Sequence, residues 1–382
     1  MIHLLADTNT QITNLTEVTR SDLASILIPT IFAFLLGLLI APTIINFLTK
    51  KQIWRKQTIL KAWGGQEASI TKKLNQDDKR PVPRMGGLVI VIAVSLAILF
   101  FGFLSLLSDH EFVQQLNFIS RQQTWLVIFS LVSGGLIGML DDLAITDNLK
   151  FLPNRLKRYI GGGLSLKIRL LIAILIGCVC GWWFYFKLEN TSLFIPFGSS
   201  WEVGIWIIPI IIFVVIATYS GGIIDGVDGL SGGVFASIFT VYAIISILQG
   251  NLELATFCLV LVGAIAAFLW HNIPPAKFYM SEIGVMALTI TLSIVAFLTD
   301  TVLLLPIIAL PLVLTSLSAI LQVIWKKYFK RKLFVVAPLH NYFRARGHSD
   351  QNVVMRYWVI SHIAVMAGLV IYLLGYPNSF LQ

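Results

Sequence analysis

The sequence predicts an all-α, polytopic membrane protein of about ten transmembrane helices, and three observations lead there. Apolar residues make up 57% of the 382-residue chain and charged residues 12%, against about 25% charged in an average soluble domain. The apolar residues, at a mean hydropathy of +0.84, fall in blocks near the roughly 20 residues that a helix needs to cross a hydrocarbon core. The basic residues gather on alternate loops between those blocks, the pattern that orients membrane helices.

Taken in order, the spans are expected at roughly 24–48, 86–107, 124–140, 166–186, 203–218, 233–249, 254–270, 283–299, 302–325 and 357–376. Residues 1–22 are polar and lack a basic stretch leading into a short apolar run, so a cleaved signal peptide is not expected and the first span does the targeting. Cys178, Cys180 and Cys258 lie inside apolar blocks and read as small packing residues rather than a disulfide framework. Gly134 and Gly138 form a small-xxx-small pair in the third span, a helix-packing signal. No internal repeat of fixed period is visible.

The loops after spans 1, 3, 7 and 9, with the adjoining helix ends, carry 25 of the 28 lysines and arginines. That bias assigns those loops to the cytoplasm. Ten spans then leave both termini on the outer side. The net charge of +9 follows from this topology and from attraction to anionic membrane lipid; no nucleic-acid partner is expected.

Carboxylates collect at the cytoplasmic helix ends. Asp141 and Asp142 close span 3, Asp225 and Asp228 lie in the segment from Ser220 to Leu230, and Glu282 opens span 8. Acids near hydrocarbon are costly, so five on one side point to a shared polar site. Adjacent acids repel and want a cation or a proton between them, and hard oxygen ligands suit Mg²⁺. Gly221, Gly222, Gly226, Gly229, Gly232 and Gly233 crowd the same segment, where bare backbone and a helix N-terminus can approach a phosphate. The stretch Lys79-Arg80-Pro81-Val82-Pro83-Arg84-Met85-Gly86-Gly87 sets three cations on a stiffened chain before span 2. Of the six histidines, His340, in Ala337-Pro338-Leu339-His340-Asn341-Tyr342-Phe343, belongs to a structured-looking cytoplasmic segment.

These loops resemble, in order, those of the polyprenyl-phosphate N-acetylhexosamine-1-phosphate transferase superfamily, over residues from about 24 to 376. Ala337-Pro338-Leu339-His340, Phe343, Gly347 and Val353 to Ser361 look like its phospho-N-acetylmuramoyl-pentapeptide transferase branch. Pro81 to Gly87 reads more like the branch that transfers N-acetylglucosamine phosphate.

The resemblance implies one integral membrane transferase domain over 1–382, in the bacterial inner (cytoplasmic) membrane with its active site facing the cytoplasm. It implies the reaction of UDP-N-acetylmuramoyl-pentapeptide with undecaprenyl phosphate to give lipid I and UMP, the first membrane step of peptidoglycan synthesis, with Mg²⁺ as cofactor and a homodimer as assembly. A polyprenyl-phosphate N-acetylglucosamine-1-phosphate transferase is the alternative. An ion-coupled transporter and a non-catalytic membrane scaffold rank below it.

By position, Glu282 matches the metal-binding acid, and Asp141 and Asp142 match the pair that activates the lipid phosphate. Asp225 matches a further catalytic-site acid, and Asp228 and Tyr279 match uracil-holding positions. Lys79, Asn272, His340 and Gln322 match polar residues around the sugar and phosphates. Three departures stand out. Ser281-Glu282 replaces Gly-Asp, Gly222 replaces an Asn, and His340-Asn341-Tyr342 replaces a run of three histidines.

Overall fold

The computed structural model describes residues 18–54, 81–145 and 163–376. Ten helical spans among them are long and apolar enough to cross a membrane: α1 (Arg20–Lys50), α2 (Leu88–Leu107), α3 (Gln122–Ile145), α4 (Leu166–Phe186), α5 (Ile207–Gly221, which flanking 3₁₀ turns extend to Gly204–Ile224), α6 (Leu230–Leu248), α7 (Leu252–Asn272), α8 (Ser281–Leu298), α9 (Leu310–Phe329) and α10 (Asp350–Gly375). The protein is an all-α, multi-pass membrane protein. Among the described residues one antiparallel hairpin, Ser192–Phe194 with Ser200–Glu202, interrupts the helices.

Helix boundaries depart from the hydropathy reading where polar residues extend a helix beyond its greasy part. α3 runs on to Ile145, which sets Asp141 and Asp142 inside its last turns. α10 starts at Asp350, seven residues before the expected edge of its span, with Ser349 accepting from the Asn352 amide as N-cap. The expected span 302–325 is broken: a 3₁₀ turn over Val302–Leu304 and a short helix over Leu305–Ile308 precede α9. Pro306 and Pro311 sit at the starts of the two helices, where the missing proline N–H leaves no bond unmade.

α8 is the central element. Of its most apolar stretch 89% is buried, against 28% for α1 and for α9. α3 lies along it so closely that a Cβ on Gly138 would stand 2.3 Å from the Glu282 carbonyl oxygen, and one on Gly134 2.9 Å from that of Met286. The small-residue pair is therefore what lets these two backbones touch. α1 packs on α7, α7 on α6, and α4 on α5. The outward faces carry exposed apolar side chains such as Leu39, Leu99, Phe213 and Ile363, as a lipid-facing surface requires.

The two ends of the bundle differ. At one end the hairpin is tied to the rest: the Phe194 amide donates to Asp300, the Phe197 amide to the Gly375 carbonyl, and the Tyr376 hydroxyl to the Asp300 carbonyl. At the other end α3, α5 and α7 finish while α2, α4, α6, α8 and α10 begin, and the acids are there.

Candidate active site

Asp142 is the knot of the site. Its side chain is fully buried. Oδ1 accepts from both Nε (3.1 Å) and Nη2 (2.9 Å) of Arg84, and Oδ2 accepts from the Ile283 amide at 3.1 Å. The N-terminus of α8 thus points an unpaired backbone donor at an acid of α3, the arrangement that helix N-termini favour.

Arg84 is brought there by its backbone. Its amide donates to the Ile53 carbonyl, while Gly86 and Gly87 donate to the carbonyls of Tyr279 and Met280, and Tyr279 donates back to Pro83. Gly87 has no room for a side chain, since a Cβ would lie 2.3 Å from the Gly284 amide nitrogen. Burial works against the Arg84 charge, but Asp142, with smaller help from Glu282 and Asp225, holds its pKa above the ordinary value.

Asp141, the other member of the pair, is also fully buried. Oδ1 accepts from the Leu164 amide at 2.7 Å and lies 3.1 Å from Nε of Arg169. Oδ2 has no hydrogen-bond partner among the described residues. Arg169, one turn into α4, donates through Nη1 to Oε1 of Glu282 at 2.8 Å. The other Glu282 oxygen is 3.5 Å from the Tyr219 hydroxyl. Asp225 completes the group: Oδ1 accepts from the Ser231 hydroxyl at 2.8 Å and Oδ2 from the Ser281 amide at 3.0 Å. Burial pushes the Asp225 carboxyl up from its ordinary value, against those two hydrogen bonds.

The other expected residues form a collar around this core. Asn272 accepts from the Gly229 amide and donates to the Phe278 carbonyl, so it clamps the glycine-rich turn to the segment that carries Tyr279. Asp228 accepts from the Ala276 amide at 3.0 Å. His340 is 1% exposed, and its ring packs so tightly on the glycine-rich turn that a Cβ on Gly226 would lie 2.5 Å from Nε2. Burial, with the nearby Arg344 charge, lowers its pKa to about 3, so the ring is neutral, and Nδ1 has no partner. Gln322 spends its amide on the loop after α9, accepting from the Leu333 and Phe334 amides and donating to the Phe334 carbonyl. Lys79 lies outside the described residues.

The three departures have local explanations. A Cβ at Gly222 would come 2.1 Å from Cγ1 of Val285, so Val285 fills the space an Asn would need. Asn341 accepts from Arg344 at 3.1 Å, and the Tyr342 ring lies 5.3 Å from the Arg346 guanidinium. Ser281 has φ = 59°, in the left-handed region that favours glycine.

Sequence reasoning placed Arg84 only among the three cations before span 2 and did not single out Arg169, Ser231 or Tyr219. For Arg169 a signal existed: a cation a full turn inside an apolar span is costly unless paired.

The donor set fits a divalent cation. Four carboxylates (Asp141, Asp142, Asp225, Glu282) face two guanidiniums (Arg84, Arg169), so acids outnumber the fixed cations there. Oδ2 of Asp141 is a buried orphan, and the Glu282 side chain is 23% exposed. No trio of His, Cys, Asp or Glu side chains among the described residues surrounds a common metal position. An ion held by one or two carboxylates plus substrate phosphates needs no such trio, and Mg²⁺ is commonly bound that way.

Comparison with known proteins places the chain in a family. The sequence profile of glycosyl transferase family 4 matches residues 124–300, from α3 to the end of α8. The phospho-N-acetylmuramoyl-pentapeptide-transferase of Chlorobium phaeobacteroides (strain DSM 266 / SMG 266 / 2430) is 32% identical over 321 residues, 76% of this chain and 80% of that one. The enzyme of the same name from Chloroflexus aurantiacus (strain ATCC 29366 / DSM 635 / J-10-fl) is 29% identical over 376 residues, 94% of this chain and 93% of its own. A bundle of ten membrane helices with its buried acids at one end, matched to these relatives over most of its length, belongs to the phospho-N-acetylmuramoyl-pentapeptide-transferase family.

Proposed function

We infer that the protein transfers phospho-N-acetylmuramoyl-pentapeptide from its UDP donor to undecaprenyl phosphate, giving lipid I and UMP. The reading puts the acid cluster at the cytoplasmic face of a bacterial inner membrane and both termini outside. It takes the chain as one transferase domain and the working assembly as a homodimer. The observation that carries it is the meeting of Asp141, Asp142, Asp225 and Glu282 around two arginines, in a chain whose relatives bear the enzyme's name.

In this reading an oxygen of the lipid phosphate attacks the β-phosphorus of the donor. The new bond is oxygen to β-phosphorus, and the bond from β-phosphorus to the bridging oxygen breaks, so that UMP leaves with that oxygen. Mg²⁺, when bound at Glu282, would neutralise phosphate charge. Both Asp142 oxygens already accept donors, which suits a fixed anchor for Arg84. Asp141 has an oxygen without one, which suits the acceptor of the lipid phosphate's proton. Arg84 and Arg169 hold positive charge where the phosphates meet, and the buried ends of α3 and α8 exclude water. Asp228 and Tyr279, with Lys79, are assigned to the donor, Asn272 to shaping that side by clamping the glycine-rich turn to the Tyr279 segment, and His340 to the phosphates beside the glycine-rich turn.

A second reading, transfer of N-acetylglucosamine phosphate, has one observation in its favour. The segment from Pro81 to Gly87, which resembles that branch, delivers Arg84 directly to Asp142. The deciding experiment supplies purified protein with undecaprenyl phosphate and either donor, with and without Mg²⁺, and measures UMP. Release with the muramoyl-pentapeptide donor is expected; UMP only with UDP-N-acetylglucosamine selects the second reading, and UMP from neither donor removes both.

A further inference from the structure

Arg169 is held unequally on its two sides. Toward α3 it is locked: Nε donates to the Leu164 carbonyl at 3.1 Å and lies 3.1 Å from Oδ1 of Asp141, which the Leu164 amide also holds at 2.7 Å. Gly163 closes that side, since a Cβ there would lie 2.8 Å from Nη2 and 2.9 Å from Asp141 Oδ1. Toward α8, Nη1 donates to Oε1 of Glu282 at 2.8 Å, on the more exposed of its two acids, and the Tyr219 hydroxyl also bonds the guanidinium. Among the described residues Oε2 has only the 3.5 Å approach of the Tyr219 hydroxyl. The guanidinium is therefore fixed, and Glu282 is the partner free to leave.

We propose that Arg169 is a built-in competitor for Glu282 that sets how tightly the site binds a divalent cation. The inference rests on the reading of Glu282 as the ion's ligand and adds a residue to it. A guanidinium and a divalent ion want the same lone pairs on one carboxylate, and the guanidinium is covalently present at all times. Its fixed charge also repels an incoming cation at close range. The extra methylene of Glu282 over an Asp is what carries the carboxylate out to Nη1. Arg169 is thus a positioning residue that acts on the ion through Glu282.

The test is binding of Mn²⁺ to the purified full-length protein without substrate, followed by calorimetry or by the electron paramagnetic resonance of free Mn²⁺. The wild type is expected to bind weakly and Glu282→Gln to lose the site. Arg169→Gln is expected to lower the dissociation constant about tenfold, as removal of one nearby positive charge should. Arg169→Lys, which keeps the charge, is expected to stay within about threefold of wild type. Thermal melting accompanies each variant; if Arg169→Gln does not fold, Glu282→Asp, which withdraws the acid from Arg169, is expected to tighten Mn²⁺ instead. A folded Arg169→Gln that binds Mn²⁺ no more tightly than wild type overturns the proposal while Glu282 keeps its assignment. Wild-type binding that survives Glu282→Gln unchanged, or no binding by any variant, overturns that assignment and the proposal with it.

Discussion

Arg84 and Asp142, 58 residues apart, join through two N–H donors that converge on one carboxylate oxygen. The pair ties the loop before α2 to the last turns of α3. It turns a loop cation into part of the site, and its acid is fully buried while Arg84 keeps a 17% exposed side chain.

Asp142→Asn should therefore do two things. It should abolish transfer, and it should destabilise the protein by about 3 kcal/mol, because removing one partner of a buried pair strands the other charge. Adding Arg84→Gln should restore part of the stability and none of the activity. UMP release and thermal melting in detergent check both, and near wild-type turnover by Asp142→Asn would sink the anchoring role.

Ser281 combines two liabilities, a left-handed backbone at φ = 59° and a buried hydroxyl with no partner. Ser281→Gly removes both and keeps the amide that donates to Asp225. We expect it to stabilise the protein by about 1–2 kcal/mol with activity retained. A lower melting temperature for this variant would contradict the strained backbone at the start of α8.

α3 and α8 approach closely at Gly138, where a Cβ would meet the Glu282 carbonyl and the Ile283 Cα at 2.3 and 2.5 Å. Both obstacles are backbone, so Gly138→Ala must push the start of α8 away from Asp142. A displacement near 1 Å at reacting groups costs on the order of a hundredfold in rate. The expected result is a kcat lowered about hundredfold in a protein that still folds, and an unchanged kcat would mean the crossing is looser than it stands here.

His340 gives a pH dependence. Its pKa falls from 6.5 to about 3 because the ring is buried beside Arg344. A depressed pKa means that the unfolded chain binds the proton first, so stability is full above pH 6.5 and is lost as the pH falls toward 3. At pH 5 the loss from this group is about 2 kcal/mol. Melting curves of wild type and His340→Gln between pH 7 and 5 should diverge by that amount, with the variant flatter; parallel curves would show that His340 is not buried as a neutral ring.

Much of this protein was legible along the chain. Hydropathy and loop charge located the ten spans, because crossing a bilayer is a local demand on each block of residues. The acids of the site were legible because carboxylates at helix ends are conspicuous against so apolar a background. The tertiary structure alone decided which cation meets which acid. Arg169 and Glu282 are 113 residues apart, and their contact depends on how α4 and α8 are rotated and crossed, which no local pattern encodes. It also decided that the Gln322 amide is spent on the loop after α9, and that of the two neighbouring aspartates only Asp141 keeps an oxygen without a donor. Adjacent positions on a helix point about 100° apart, so identical residues side by side enter different surroundings once the helices pack.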